Sequence, residues 1–169
     1  MRKTSAFVTV ALFVFAGILP ASAQTAQFRQ RFKDWSTYTF SNGPGKLCFA
    51  VTQPKDFLPK SLKRDDVYLY VSSWPGDGVT NELSVKIGYS FKKGSTPTAT
   101  VGADVFQLFT DGDRAFVESV TQEARLIDAM RRGAKLVIKG LSAGGQQTTD
   151  VFSLSGITAA LGHIKQICK

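Results

Sequence analysis

Two cysteines, Cys48 and Cys168, constrain what this chain can fold into more than any other feature. Their pairing would close a loop of about 120 residues, which the chain-entropy account values at roughly 4–5 kcal/mol. That is comparable with the whole stability of an ordinary domain. The local patterns around the two thiols show how they could meet. Cys48 lies in "KLCFAVT", a run rich in aromatic and β-branched residues that reads as a strand. Cys168 closes "SLSGITAALGHIKQICK", where Ile157, Ala160, Leu161, Ile164 and Cys168 recur at helical spacing. With Ser155 as N-cap, these five share one face, so the thiol points inward with the apolar stripe. The lone histidine, His163, falls on the flank of that stripe. The expectation is a terminal helix clasped to an early strand.

The redox setting comes from the front of the sequence. Arg2 and Lys3 precede an apolar run over residues 6–19, and Pro20 with Ala21-Ser22-Ala23 completes a secretory signal cleaved after Ala23. The run is shorter than the about 20 residues that a membrane span needs, and no later segment is apolar enough for one. The reading is therefore a signal over residues 1–23 and one domain over 24–169, in the periplasm, secreted, or at the cell surface. There an isolated cysteine pair is a disulfide. Removing Arg2 and Lys3 with the signal lowers the formal net charge from +8 to +6, which favours anionic envelope partners, and nucleic acid is not expected as a partner in that compartment.

Between the cysteines the pattern is that of short strands. "WSTYTFS" and "KLCFAVT" flank a turn cluster, residues 42–45, and read as a hairpin. In "DVYLYVSS", Val67, Leu69 and Val71 alternate with Tyr68 and Tyr70. Leu83, Val85 and Ile87 share one face of "ELSVKIGYSF". "ATVG", "DVFQLFT", "RAFVES", "KLVIKG" and "TTDVFSL" follow with frequent turns. Seven to nine such strands point to an antiparallel β-sandwich. One helix interrupts them. In "SVTQEARLIDAMRRG", Ser119 and Gln122 form a capping box and Gly133 a stop. Val120, Leu126, Ile127 and Met130 make the apolar arc, and Asp128 and Arg132 are spaced for an ion pair.

Three patterns suggest chemistry. Residues 140–144 spell G-x-S-x-G, with Asp150 and His163 following Ser142 in the order of an α/β-hydrolase. That motif needs a strand-to-helix elbow, whereas "KLVIKG" and "TTDVFSL" place it in a hairpin loop, so no catalytic residue is assigned. Cys48, His163 and Cys168 lack metal-ligand spacing, since residues five apart on a helix diverge by about 140°. Asp111-Gly112-Asp113 reads as a turn rather than a calcium loop. No metal or cofactor is expected. The remaining candidates are basic: Lys60, Lys63 and Arg64 in one cluster, and Arg131, Arg132 and Lys135 in another, with Trp74 in "SSWPGDG" as an aromatic anchor for a partner.

"DWSTYTF", "GKLCFAVTQPKDFLP", "YLYVSSWPGDGVTNELSVKIGYSFKKGS", "FQLFTDGDRAFVES", "AMRRGAKLVIKGLS" and "TTDVFSLSGITAAL" with the closing cysteine, in that order, resemble the invasion-associated locus B family of bacterial envelope proteins. The resemblance implies an immunoglobulin-like β-sandwich with two short helices, one C-terminal, exported and without established catalytic residues. The resemblance leaves the activity open, and the function expected is that of a non-enzymatic interaction module binding an anionic envelope component or another protein, ahead of a hydrolase using Ser142, Asp150 and His163. The alternative is a surface or secreted factor that contacts host cells. Where the family pattern leads one to expect an arginine after Gly140, this chain has Ala143-Gly144-Gly145, so the resemblance carries no anion contact for that loop.

Overall fold

The computed structural model describes residues 25–42 and 45–169. The expected signal over residues 1–23 and part of the turn over 42–45 lie outside them. Among the described residues twelve strands form two antiparallel sheets. The first half of the chain supplies β1 (Gln27–Phe32), β2 (Trp35–Asn42), β3 (Gly45–Thr52), β4 (Asp56–Leu58), β5 (Tyr68–Trp74) and β6 (Val79–Lys86). The second supplies β7 (Thr98–Val101), β8 (Asp104–Gln107), β9 (Phe109–Asp111), β10 (Arg114–Phe116), β11 (Lys135–Leu141) and β12 (Gln147–Ser153). One sheet runs β1-β2-β3-β5-β6-β10-β9, and the other β4-β12-β11-β7-β8. Both contribute to one apolar core, from Leu69, Leu83 and Val85 on one side and Leu136, Ile138 and Phe152 on the other. The chain is an immunoglobulin-like sandwich, mainly β, with two helices.

The alternation read in the sequence sets which face is which. Leu69 and Val71 of β5 are fully buried, and Tyr68 and Tyr70 point the other way. The strand count exceeds the seven to nine expected because β1 and β4 carry little apolar patterning and because "DVFQLFT" divides. Leu108, buried at the break, marks where the chain crosses from the five-stranded sheet to the seven-stranded one.

Helix α1 (Val120–Arg132) starts as expected, with Ser119 Oγ accepting from the Gln122 amide at 3.2 Å. Leu126, Ile127 and Met130 are buried, but Val120 is 85% exposed because the first turn stands clear of the sheets. Asp128 pairs with Arg131 (3.4 Å) rather than Arg132. Gly133 ends the helix in an ordinary extended conformation (φ −87°). A side chain there would strike Val101 and Leu154, and that packing is why glycine fits. Glu123 reaches β6, where its carboxylate accepts from the Leu83 amide at 2.7 Å, beyond the point where β10 stops pairing. Burial pushes this carboxyl above its ordinary value, and nearby Glu82 adds to the rise.

Helix α2 (Ile157–Ile167) lies against β1, β2 and β3, with Ile157, Ala160, Leu161 and Ile164 buried. Its N-cap is Gly156 at φ +99°, not Ser155. The left-handed backbone admits only glycine without strain, and a Cβ would collide with the Phe32 carbonyl. At the other end Cys168 is bonded to Cys48, with Cα atoms 5.8 Å apart. His163 Nδ1 lies 2.9 Å from Thr37 Oγ1, and that hydroxyl also donates to the Gln30 carbonyl at 3.0 Å. The single hydroxyl proton is thus committed, and Nδ1 of His163 is the donor.

Two buried polar links join the layers. Trp35, fully buried, donates Nε1–H to the Ser153 carbonyl at 3.0 Å. Arg64 forks onto both oxygens of Asp150, one contact measuring 3.0 Å. Their side chains are 6% and 0% exposed. Burial pushes the Asp150 carboxyl up against the pull of Arg64.

Candidate binding face

The same alternation that sends aliphatic side chains inward from the seven-stranded sheet sends aromatic ones outward. On β2, β3 and β5 the outward set is Tyr38, Phe49, Tyr68 and Tyr70, where a solvated sheet face ordinarily carries charged and small polar residues. Cross-strand register places these rings side by side. Phe28 is opposite Tyr38, which is opposite Phe49. Tyr70 then leads through Ser84 to Phe116 and on to Phe109. Ring centroids are 5.6 Å apart for Phe28–Tyr38, 5.3 Å for Tyr38–Phe49, 5.9 Å for Phe49–Tyr70 and 5.5 Å for Phe109–Phe116. The result is an aromatic stripe from one edge of the sheet to the other. Phe28 and Phe109, at its two ends, are 57% and 47% exposed.

Polar groups punctuate the stripe. The Arg114 guanidinium sits 5.7 Å over the Tyr70 ring, a cation–π contact near its middle. Burial pushes the phenols of Tyr68 and Tyr70 above their ordinary value, so both remain neutral hydroxyls. A cleft of about 350 Å³ opens between Tyr38 and Tyr68, floored by Ser36 and Val51 and rimmed by Arg31 and the Asp34–Lys55 ion pair (2.6 Å). Tyrosine, phenylalanine and arginine together are the composition of an interface core. The rings between Phe28 and Phe109 are half-buried, and a partly exposed aromatic face of this kind is of the sort that marks a docking surface.

The basic residues singled out in the sequence are dispersed. Lys60 pairs with Asp56 and sits 4.4 Å over Phe57. Lys63 is exposed, and Arg64 is consumed by Asp150, out of reach of any partner. Arg131 lines a cavity of about 320 Å³ beside Lys165 and Cys168. Arg132 and Lys135 line a different one, shared with Asp104. The two triplets therefore do not form two patches, because Arg64 turns inward and the end of α1 points its arginines to opposite sides. Trp74 is half-buried and walls a small apolar cleft of about 200 Å³ with Phe40 and Leu47.

The hydrolase-like triplet is likewise engaged elsewhere. Ser142 is buried in the β11–β12 turn, its Oγ accepting from the Gln146 amide at 3.1 Å. Asp150 holds Arg64, and His163 holds Thr37 on the other sheet. Among the described residues no group of three histidine, cysteine or acidic side chains is placed to hold a metal. No helix among them is long and apolar enough to cross a membrane.

Comparison with known proteins follows the architecture. The family model for the invasion associated locus B (IalB) protein matches residues 35–165. The crystal structure of invasion associated protein B from Bartonella henselae superposes with a TM-score of 0.57 at 16% identity, covering 82% of this chain and 95% of that one. At that identity the likeness is one of fold. No curated protein sequence matches the chain.

Proposed function

The chain belongs to the invasion associated locus B family, and from that premise we propose that it is an exported, non-enzymatic protein of the cell envelope that acts by binding, with the aromatic stripe as its docking surface. Export is supported by the Cys48–Cys168 disulfide, which persists in oxidising compartments, and by the leader-like residues 1–23. The single observation that carries the binding role is the stripe from Phe28 to Phe109, broken only at β6 by Ser84, with Arg114 seated on Tyr70. Buried aromatic and arginine anchors supply most of the free energy in protein interfaces, and here they are gathered on a solvated face.

The test is photo-cross-linking in intact cells. A photoreactive phenylalanine analogue replaces Phe49 on the stripe or, as control, Thr100 on the outer face of the five-stranded sheet. Reproducible adducts from position 49 and none from position 100 are expected. Absence of adducts at 49, or equal labelling at both, would overturn the assignment. A second reading, contact with a host cell, is favoured by the name that the family and its Bartonella member carry. Protein detected on intact cells or in culture fluid would support it, and strict retention in the periplasm would exclude it.

A further inference from the structure

The stripe invites a more specific statement, one that rests on reading this face as the docking surface. We propose that its occupant is a second copy of this chain, packed face to face on the same sheet. Extent is the first argument. Seven strands at about 4.8 Å spacing make a face roughly 30 Å wide. With the outward rows that carry the rings, its area falls in the range of about 800 Å² per partner that a stable association uses.

Charge is the second argument. The chain as a whole carries +8, and +6 once the expected signal with Arg2 and Lys3 is removed, which resists self-association, but this face does not share that excess. Arg31, Lys86 and Arg114 are matched by Glu82, Asp111 and Asp113 on or beside the same strands. Lys86 lies 3.9 Å from Asp113, and Asp111 is the cross-strand neighbour of Arg114. A balanced face on a basic protein suits a like copy better than an anionic surface. Ring orientation is the third argument. Tyr38 and Phe49 are within 11° of parallel, and Phe109 and Phe116 within 25°. Their flat faces are turned to one another and their edges to solvent. The edge-to-face pairs Phe28–Tyr38 (72°) and Phe49–Tyr70 (62°) break the row into ridges of differing orientation, and ridges projecting from two such sheets can interdigitate at the usual ~10 Å separation.

Symmetry then fixes the contacts. An isologous pair with its two-fold perpendicular to the line from Phe28 to Phe109, which runs one register step off the direct cross-strand row, lays β1 of one copy over β9 of the other. Phe28 meets the partner's Phe109, which joins the two most exposed rings at opposite edges of the sheet. Arg31 on β1 comes near the partner's Asp111.

Sedimentation equilibrium of the exported protein tests this. A dimer is expected. Phe28→Ser and Phe109→Ser, both at exposed positions, should each weaken association about 30-fold if the stripe is the interface. Arg31→Asp and Asp111→Arg should each weaken it, and the double variant should restore it. A protein that is monomeric throughout the micromolar range, or a dimer indifferent to all four changes, overturns the inference. If that monomer still gives position-49 adducts with another molecule in cells, the docking face stands and only its occupant is wrong. If it gives none, both readings fall together.

Discussion

Replacing Arg64 by methionine isolates the most consequential buried contact in the molecule. The guanidinium donates twice to Asp150 and once to the Ile87 carbonyl at 3.3 Å, and lies over Phe57 and Tyr89. Methionine preserves much of the packing but strands a carboxylate that is 0% exposed. Breaking a buried pair from one side costs about 3–5 kcal/mol. The loss should depend on pH in a defined direction. Asp150 already sits above the ordinary 3.8 because burial outweighs Arg64, and removing Arg64 removes the opposing pull. Folded variant therefore holds the proton over a wider window above 3.8 than unfolded variant does. Its stability is greatest below that window and falls as pH rises through it, by up to about 1.4 kcal/mol per pH unit. Urea unfolding followed by tryptophan fluorescence, with buried Trp35 as reporter, should show a larger deficit at pH 8 than at pH 5. Arg64→Met combined with Asp150→Leu should recover most of it, since removing both charges leaves nothing uncompensated. A deficit below about 1 kcal/mol, or one equal at both pH values, would refute this account of the pair.

Three other outcomes follow from the same geometry. Cys168→Ser should cost about 4 kcal/mol in thermal or urea unfolding; a wild type that melts identically with and without reductant would contradict it. Gly156→Ala should cost about 1–3 kcal/mol, because alanine must adopt the left-handed backbone and also displace the Phe32 carbonyl. Retention of wild-type melting would show that α2 can start elsewhere. Glu123→Gln keeps an acceptor for the Leu83 amide but no longer ionises. Because burial raises the Glu123 carboxyl, wild-type stability contributed there is lost as pH rises through the raised value, so the variant's advantage should grow from pH 4 to pH 8. An advantage independent of pH would count against a buried carboxylate.

The clasp, the layer architecture and the burial pattern were legible because each rests on local periodicity. Ile157, Ala160, Leu161 and Ile164 announce one helical face, and Val67, Leu69 and Val71 one strand face. The caps were half legible. Ser119 acts through its own side chain, but Gly156 is chosen by the carbonyl of Phe32, a residue distant in sequence. The ion pairing of Arg64 was illegible for the same reason, since Asp150 is 86 residues away and Asp65 and Asp66 stand closer in sequence. The aromatic stripe left a signal that attention to the aliphatic half of the alternation passes over. Tyr68 and Tyr70 interleave Leu69, and Tyr38 and Phe49 occupy the outward positions of their strands. Only pairing register, which no single strand contains, turns those separate rings into one surface.

The position of the clasp also sets an order of events. Strands β1 to β3 leave the ribosome, and enter any export channel, long before α2, yet α2 is what covers Thr37, Cys48 and Ala50 on their inner side. Until those later residues arrive, the early hairpin has an uncovered apolar flank and an unpaired thiol. A chain built this way completes its fold only after its two distant parts occupy the same compartment, so a stalled or shortened product would present an open sheet and a reactive Cys48 to chaperones, proteases and oxidases.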